Sequence, residues 1–338
     1  MQIATQHNPL VSVVIPVRNS AATLDLCLRA VKHSYYRNIE VIVVDDHSTD
    51  QSAEIAGRYD CLLLSPGAGM GANNARNFGA QKAKGEILIF LDSDIVVGRE
   101  TILTVVETIE EEGVDAAVGL YTARHRHETF VSQYKNLWVR YSYLKSPASI
   151  DWLFGAISGI RRSAFERLGG FNSELLAQYG HDDIELGKRF ARANLSIVLN
   201  MDIEVEHLKS YTMRSFIRNE FKRSIGFAEL AVKTGEAAQS LGRGFVNVYP
   251  SFVLSTALPL ILLLLGVCVV LGWVPLWSIA VAGGVYFLLN IRFLNYLEQV
   301  RGLFAMMAMI PLLLIDHAVC FAGSCVGALR GLRANKSR

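Results

Sequence analysis

Long stretches of this 338-residue chain carry no charge at all. No Asp, Glu, Lys or Arg occurs from Gly244 to Ile291, and from Gly302 to Leu329 the only one is Asp316. About 20 apolar helical residues cross a hydrocarbon core, so these segments are of membrane length, and a soluble helical domain explains them poorly. Net charge is lacking too: 33 Lys and Arg against 31 Asp and Glu leave a formal +2, which argues against a nucleic-acid binder. Cysteine is sparse. Cys27, Cys61, Cys268, Cys320 and Cys325 are odd in number and without CxxC spacing, so they suggest neither a disulfide framework nor a zinc site and fit a reducing compartment. The opening MQIATQHNPL has no basic start followed by an apolar core; it does not read as a signal peptide, and the soluble part is expected to stay in the cytoplasm. There is no internal repeat and no low-complexity tract.

What the first 240 or so residues do contain is an α/β pattern. VSVVIPV (11–17), EVIVVDD (40–46), CLLLS (61–65) and EILIFLD (86–92) are short, β-branched apolar runs, continuous rather than alternating, as in strands buried on both faces of a parallel sheet. Between them Leu24, Cys27, Leu28 and Val31 recur at helical spacing, STDQSAEIAGRY opens with cap residues, and NNARNFGAQKAKG ends at Gly85. The alternation implies right-handed βαβ units, whose ligands collect at the carboxyl ends of the strands. Asp45, Asp46, Asp92 and Asp94 stand at such ends. Further on, RETILTVVETIEEEG reads as a helix, DAAVGLYT as a strand, SQYKNLWVRYSYLKS as an aromatic, basic helix, and a short helix begins at Arg162 or Ser163.

Four stretches carry candidate chemistry, and each has an ordinary explanation. Asp92 and Asp94 are two apart, so on a strand that is just ending both could face one cation; an isolated DxD is more often a polar loop. VDDHSTD (44–50) ends a strand with two carboxylates and offers Ser48 or Thr49 as a helix start suited to a base or ribose, or merely as a cap. GANNARNFGA (71–80) sets Arg76 beside small residues where a phosphate could rest, or where a surface ion pair forms. YGHDDIELGKR (179–189) puts Asp182, Asp183 and Glu185 at a helix start, which the helix dipole favours in any case. Singly, the ordinary explanations win.

In this order and spacing, residues 11 to 208 resemble glycosyltransferase family 2 with the GT-A fold. The matching stretches are VSVVIPVRNSAATLDLCL, VIVVDDHSTD, GANNARNFGAQKAKGEILIFLDSD, IRRSAFERLGGFN leading into HDDIELGKR, and VEHL with His207. The resemblance implies a Rossmann-like nucleotide-sugar-binding domain with a mixed sheet, and inverting transfer from a nucleotide-sugar donor. It implies that Asp45 and Asp46 contact base and ribose, with Val17 and Asn19 nearby; that Arg76 faces the diphosphate; and that Asp92 lies near the ribose and the metal. Asp94 would bind Mn²⁺ or Mg²⁺ directly and His207 would complete the metal site, slightly favouring Mn²⁺. Asp183 matches the carboxylate taken as general base. Asp182 stands where the family motif has glutamate, which leaves open which of the two is the base.

The remaining chain reads as residues 209–243, an amphipathic interfacial linker; 244–330, two or three transmembrane helices; and 331–338, a basic tail. Val248–Trp273 and Val274–Asn290 are expected to turn near GWVP, with a third segment over Leu303–Leu329. The basic tail and a cytoplasmic catalytic domain both belong inside, which requires an even number of crossings, so one of three segments would be re-entrant or interfacial. Met213, Phe216, Ile217 and Phe221 fall along one side of a basic helix suited to an anionic membrane surface. Asp316 is costly in lipid: it marks a function, or it caps a helix break or bonds to a neighbouring helix, while His317 cannot share its face. The combined expectation is an integral protein of a bacterial inner membrane that transfers a sugar to a lipid-linked or envelope-glycan acceptor. No QxxRW follows HDDIELGKR, which favours single-sugar transfer over processive synthesis. A polyprenyl-phosphate acceptor would already be anionic and need no base, so Asp183 tilts the choice toward a hydroxyl. A transport or scaffold protein with a degenerate transferase domain would not be expected to keep Asp46, Asp92, Asp94 and Asp183. A nucleotidyltransferase would carry a basic glycine-rich loop where PVRNSAATL stands.

Overall fold

The computed structural model describes residues 8–67, 69–127, 129–172, 182–237, 246 and 248–336. The expected boundary at 241–244, and the Tyr179–His181 portion of the acidic motif, lie outside them. The chain divides into two compact units: Met1–Arg126, Ser146–Ala177 and Asp182–Lys209 form one; His127–Lys145, Gln178–His181 and Ser210–Arg338 form the other. The aromatic helix inside the first 208 residues thus belongs with the C-terminal part of the chain.

The first unit is an α/β domain on a nine-stranded sheet. Its strands are β1 (Val11–Val17), β2 (Ile39–Asp45), β3 (Leu62–Leu64), β4 (Ile87–Leu91), β5 (Ile95–Val97), β6 (Ala116–Tyr121), β7 (Ser149–Ile150), β8 (Ile157–Arg161) and β9 (Ile197–His207). They run in the order β3-β2-β1-β4-β8-β6-β9-β5, with β7 also paired to β9. β1, β2, β3 and β4 are parallel, whereas β8 lies antiparallel to β4 and β6. The expected mixed sheet is therefore present. In it β2 and β4 flank β1 on opposite sides, so the chain reverses its winding direction there and opens a crevice at the carboxyl ends of these strands.

Helices α1 (Leu24–Lys32), α2 (Ser52–Ala56), α3 (Ala72–Lys82), α4 (Thr101–Glu111), α6 (Arg162–Arg167) and α7 (Asp182–Arg192) complete this unit. Leu24, Cys27, Leu28 and Val31, the apolar positions read from the sequence, are the buried face of α1. Gly79 lets α3 sit directly on the sheet, because a Cβ there would fall 2.5 Å from Val14 Cγ1. α2 starts at Ser52, not at Ser48 or Thr49 as expected. The Ser48 and Thr49 amides are instead taken by the side-chain oxygens of Asp45 and Asn19, and Asp50 accepts from the Ser52 amide at 3.0 Å. Such local side-chain bonds compete with helix initiation.

The second unit is helical: α5 (Phe130–Leu144), α8 (Met213–Lys233), α9 (Pro250–Thr256), α10 (Leu258–Val270), α11 (Trp277–Arg301) and α12 (Leu303–Lys336). α8 opens with a capping box between Thr212 and Ser215. Along α12, Gly323, Gly327 and Gly331 meet residues 221–224, 225–228 and 229–232 of α8 in turn, so the two helices run parallel on a seam of small residues. A Cβ at Gly327 would lie 2.1 Å from the Ile225 carbonyl oxygen. Phe216 is fully buried, while Met213, Ile217 and Phe221 form an exposed stripe at i, i+4, i+8.

Pro250–Val270, Trp277–Arg301 and Leu303–Arg333 are each long and apolar enough to cross a membrane. α11 runs past the expected end at Asn290, whose Nδ2 is satisfied within the helix by the Tyr286 carbonyl. Asp316, 1% exposed, accepts from the Tyr134 hydroxyl at 2.8 Å and from Cys320 Sγ at 3.4 Å. His317, on another face, meets the Tyr286 hydroxyl at 2.9 Å. The buried aspartate thus bonds across to a neighbouring helix, and α12 is continuous through Pro311.

Candidate active site

The crevice is walled on one side by two loops that hold each other. Val17 pairs in register with Asp45, and its carbonyl accepts the Asp46 amide at 2.7 Å. Asn19, in the left-handed region at φ 52°, donates its amide to Ser48 Oγ at 3.0 Å and accepts the Thr49 amide on Oδ1 at 2.8 Å. His47 is also left-handed, at φ 63°. Two non-glycine residues in this conformation within touching loops mark backbone that the surroundings enforce. Asp46 is 3% exposed and accepts the amides of Met70 and Gly71, so it ties the end of β2 to the loop before α3.

Arg76 occupies the centre of the cluster. Its side chain is 8% exposed; Nη2 lies 2.6 Å from Asp92 Oδ1 and Nη1 lies 2.7 Å from Asp182 Oδ2. The guanidinium also covers the Phe171 ring at 5.5 Å. A planar fork suits two carboxylates at once, so Arg76 clasps the end of β4 to the start of α7. Its η nitrogens face these two aspartates.

Asp183, beside Asp182, is held differently. Its Oδ2 accepts the Gly155 amide at 2.8 Å and its Oδ1 accepts the Ile184 amide at 2.9 Å. Gly155 permits that approach, since a Cβ there would lie 3.3 Å from Asp183 Oδ2. α7 itself is pressed onto the preceding segment at Gly187, where a Cβ would fall 2.3 Å from Trp152 Cα. Burial, and then the neighbouring charge of Asp182, push the Asp183 carboxyl up to about 7, against the pull of the two amides and Arg76. It is a carboxylate poised to exchange a proton near neutral pH.

Asp94 does not share a strand with Asp92. β4 ends at Leu91, β5 begins at Ile95, and the Ile95 amide closes a turn onto the Asp92 carbonyl at 3.1 Å. Asp92 consequently goes to Arg76, while Asp94 Oδ2 lies 3.4 Å from His207 Nε2. Pairing of Ile95 with His207 fixes that approach, and Tyr121 stacks on the imidazole with centroids 4.6 Å apart and planes within 5°. Burial favours protonation of Asp94, but the hydrogen bond and charge of His207, with Lys209, outweigh it and hold its pKa below the usual carboxylate value.

An oxygen and a nitrogen donor 3.4 Å apart fit a divalent ion: bonds of roughly 2.0–2.1 Å to each would be compatible with that separation, leaving other positions to water or phosphate. Gly155, Phe171, Tyr121 and His125, which stands edge-on to His207, were not singled out by sequence. The glycines of DWLFGAISGI were the only signal, and they did not say which carboxylate Gly155 would meet.

Two family models match the chain: glycosyl transferase family 2 over residues 12–169, and the N-terminal domain of galactosyltransferase over residues 135–213. Glycosyltransferase AglE of Haloferax volcanii is 32% identical over 215 residues, covering 59% of this chain and 67% of the relative. Glycosyltransferase GlyG of Streptococcus pneumoniae is 36% identical over 118 residues, and YdaM of Bacillus subtilis, described as a probable glycosyltransferase, is 27% identical over 187. These matches take in 33% and 50% of this chain but only 39% and 44% of the relatives' lengths. Among solved structures, a mannosyltransferase from Pyrobaculum calidifontis in complex with GDP-Man and Mn²⁺ superposes with a TM-score of 0.58 at 20% identity, covering 97% of this chain and 88% of that one, a likeness of fold. With the Rossmann-like sheet and the carboxylates gathered at its strand ends, these matches identify the chain as a glycosyltransferase of family 2 with the GT-A fold.

Proposed function

We propose that the chain transfers a sugar, with inversion, from a nucleotide-sugar donor to a hydroxyl of a lipid-linked or envelope-glycan acceptor at a membrane. The observation that carries this reading is Asp183, a carboxylate raised to about 7 and oriented by the Gly155 and Ile184 amides, next to the Arg76–Asp92 clasp. A carboxylate of that basicity accepts a proton from an attacking hydroxyl while remaining largely ionised just above neutrality. Asp182, committed to Arg76, is the positioning partner, and its charge helps to raise Asp183.

Val17, Asn19, Asp45 and Asp46 form the donor wall, with Asp92 at the ribose. Asp94 and His207 would hold Mn²⁺ or Mg²⁺, which when bound offsets the negative charge growing on the departing nucleoside diphosphate. GDP-Man, which the Pyrobaculum mannosyltransferase binds, is a donor of this class. The three membrane-length helices support an anchored enzyme.

Asp183→Asn in the purified chain is expected to abolish transfer while leaving nucleotide binding intact; retained transfer would refute the assignment. Asp94→Ala should remove Mn²⁺ binding, read by electron paramagnetic resonance, together with activity, and normal turnover in EDTA would remove the metal from the account.

A further inference from the structure

Backbone pairing brings Asp94 and His207 together but does not aim the imidazole. Ile95 pairs with His207, and the Leu208 amide donates to the Asp94 carbonyl at 2.8 Å, so the main chains on both sides are locked. The imidazole still turns about its Cβ–Cγ bond, a torsion with broad, roughly two-fold wells, and the 3.4 Å approach requires Nε2 to face Asp94. Tyr121 supplies what the backbone leaves open. Its ring lies on the imidazole with centroids 4.6 Å apart and planes within 5°, a stacked contact of the kind aromatic pairs favour. Such a neighbour confines the plane of the ring to two orientations related by a half-turn, and one of them points Nε2 at Asp94.

A break in the sheet register puts Tyr121 there. Val118 of β6 pairs with Leu199 of β9, but Leu120 pairs with Glu204, so β9 bulges between two nearby positions of β6. Gly119 makes room, since a Cβ there would fall 2.1 Å from the Ile203 carbonyl oxygen. Past the bulge Tyr121 pairs with Val205, and His207, two residues on, points to the same face of the sheet as Val205 and Tyr121. In the unshifted register Tyr121 would oppose Asp202, whose same-face neighbours along β9 are Glu204 and Glu206 rather than His207. Bulges beside functional sites re-aim side chains in this way. Tyr121 is itself braced, because Phe154 meets its ring edge-on at 5.0 Å. His125 stands at right angles to the imidazole at 6.4 Å, anchored by its Nε2 at 3.1 Å from the Lys209 carbonyl oxygen.

We infer that Tyr121 is a positioning residue for the metal: by holding the His207 imidazole in plane it presets Nε2 for a divalent cation, and the register break at Gly119 delivers it to that place. The inference rests on the proposed Asp94–His207 metal site and names a residue outside the ligand pair on which its affinity depends. The test is titration of Mn²⁺ into the full chain in detergent, followed by electron paramagnetic resonance, with nitrogen coupling to the bound ion read by electron spin-echo envelope modulation. His207→Ala is expected to remove the nitrogen coupling. Tyr121→Phe keeps the ring and should bind Mn²⁺ within about twofold of the unmodified chain, whereas Tyr121→Leu should bind it about tenfold more weakly, the low end of what groups orienting a metal-bound histidine contribute. Tyr121→Val, of the β-branched type that suits a strand, should repeat the loss and serves if the leucine variant does not fold. Leucine and valine variants that bind Mn²⁺ as tightly as the unmodified chain with the nitrogen coupling intact, or a phenylalanine variant as weak as the leucine one, would overturn the inference and leave the metal site standing. Should His207→Ala keep both the affinity and the nitrogen coupling, the metal site itself fails and the inference with it.

Discussion

Two side chains decide most of the chemistry. Because burial and Asp182 lift Asp183 from 3.8 to about 7, the donor-free enzyme's kcat/KM should rise with pH along an acid limb centred near 7 and level off above it. A limb near 4 would contradict the geometry. The same shift has a cost in stability. A carboxyl whose folded pKa is raised binds its proton more tightly in the folded state, so stability present below about pH 4 is lost as pH rises to about 7. Asp183→Asn should accordingly raise the melting temperature at pH 8 and leave it little changed at pH 4. Arg76 acts oppositely, since its charge lowers Asp183. Arg76→Met strands two aspartates near each other and should cost roughly 3–5 kcal/mol, as when one member of a buried pair is removed; in protein that still folds, the acid limb should move upward. Arg76→Lys, keeping charge but not the fork, should recover only part of the loss.

At the scale of elements, the glycine seam of α12 is the most exacting packing in the helical unit. Gly327→Leu must push α12 off α8, because even a Cβ meets the Ile225 carbonyl oxygen. Overpacking of this kind typically costs about 1–3 kcal/mol, measurable as a lower melting temperature in detergent, whereas the same change at Gly283, with open space around its Cα, should be near neutral. The seam also bears on how the chain meets a membrane. α12 has 34 residues, well beyond the about 20 that cross a hydrocarbon core, and its C-terminal part runs beside α8, which carries Arg214, Arg218, Lys222 and Lys233. A helix so charged belongs at a surface. The end of α12 is therefore expected on the side where α8 ends, and a membrane-impermeant maleimide should reach Arg333→Cys and Lys233→Cys from the same side of sealed vesicles. Elements of this kind were legible where one period dominates: α1, α4 and the buried strands follow from their apolar spacing. β5 was not, because Ile-Val-Val is short enough to merge with the run before it, and its separation from β4 depends on Asp92 and Asp94 finding different partners. Nor was the burial of Phe216, whose ring meets that of Tyr134 of α5 edge-on at 5.8 Å, a contact between distant parts of the chain.

For the whole molecule, the gathering of carboxylates at the strand ends was readable, since composition and order place them there. Their pairings were not readable. That Arg76 joins Asp92 to Asp182, and that Gly155 supplies the amide that orients Asp183, are contacts across 16 to 106 residues of chain, set by the sheet order rather than by any local pattern. The most direct measurement of the central claim is transfer itself. Membranes containing the chain are incubated with a panel of radiolabelled nucleotide sugars and Mn²⁺, then extracted with organic solvent. Label from one donor should enter the lipid phase with the unmodified chain and stay out with Asp183→Asn or after EDTA; equal transfer by Asp183→Asn, or no transfer from any donor, would contradict the account.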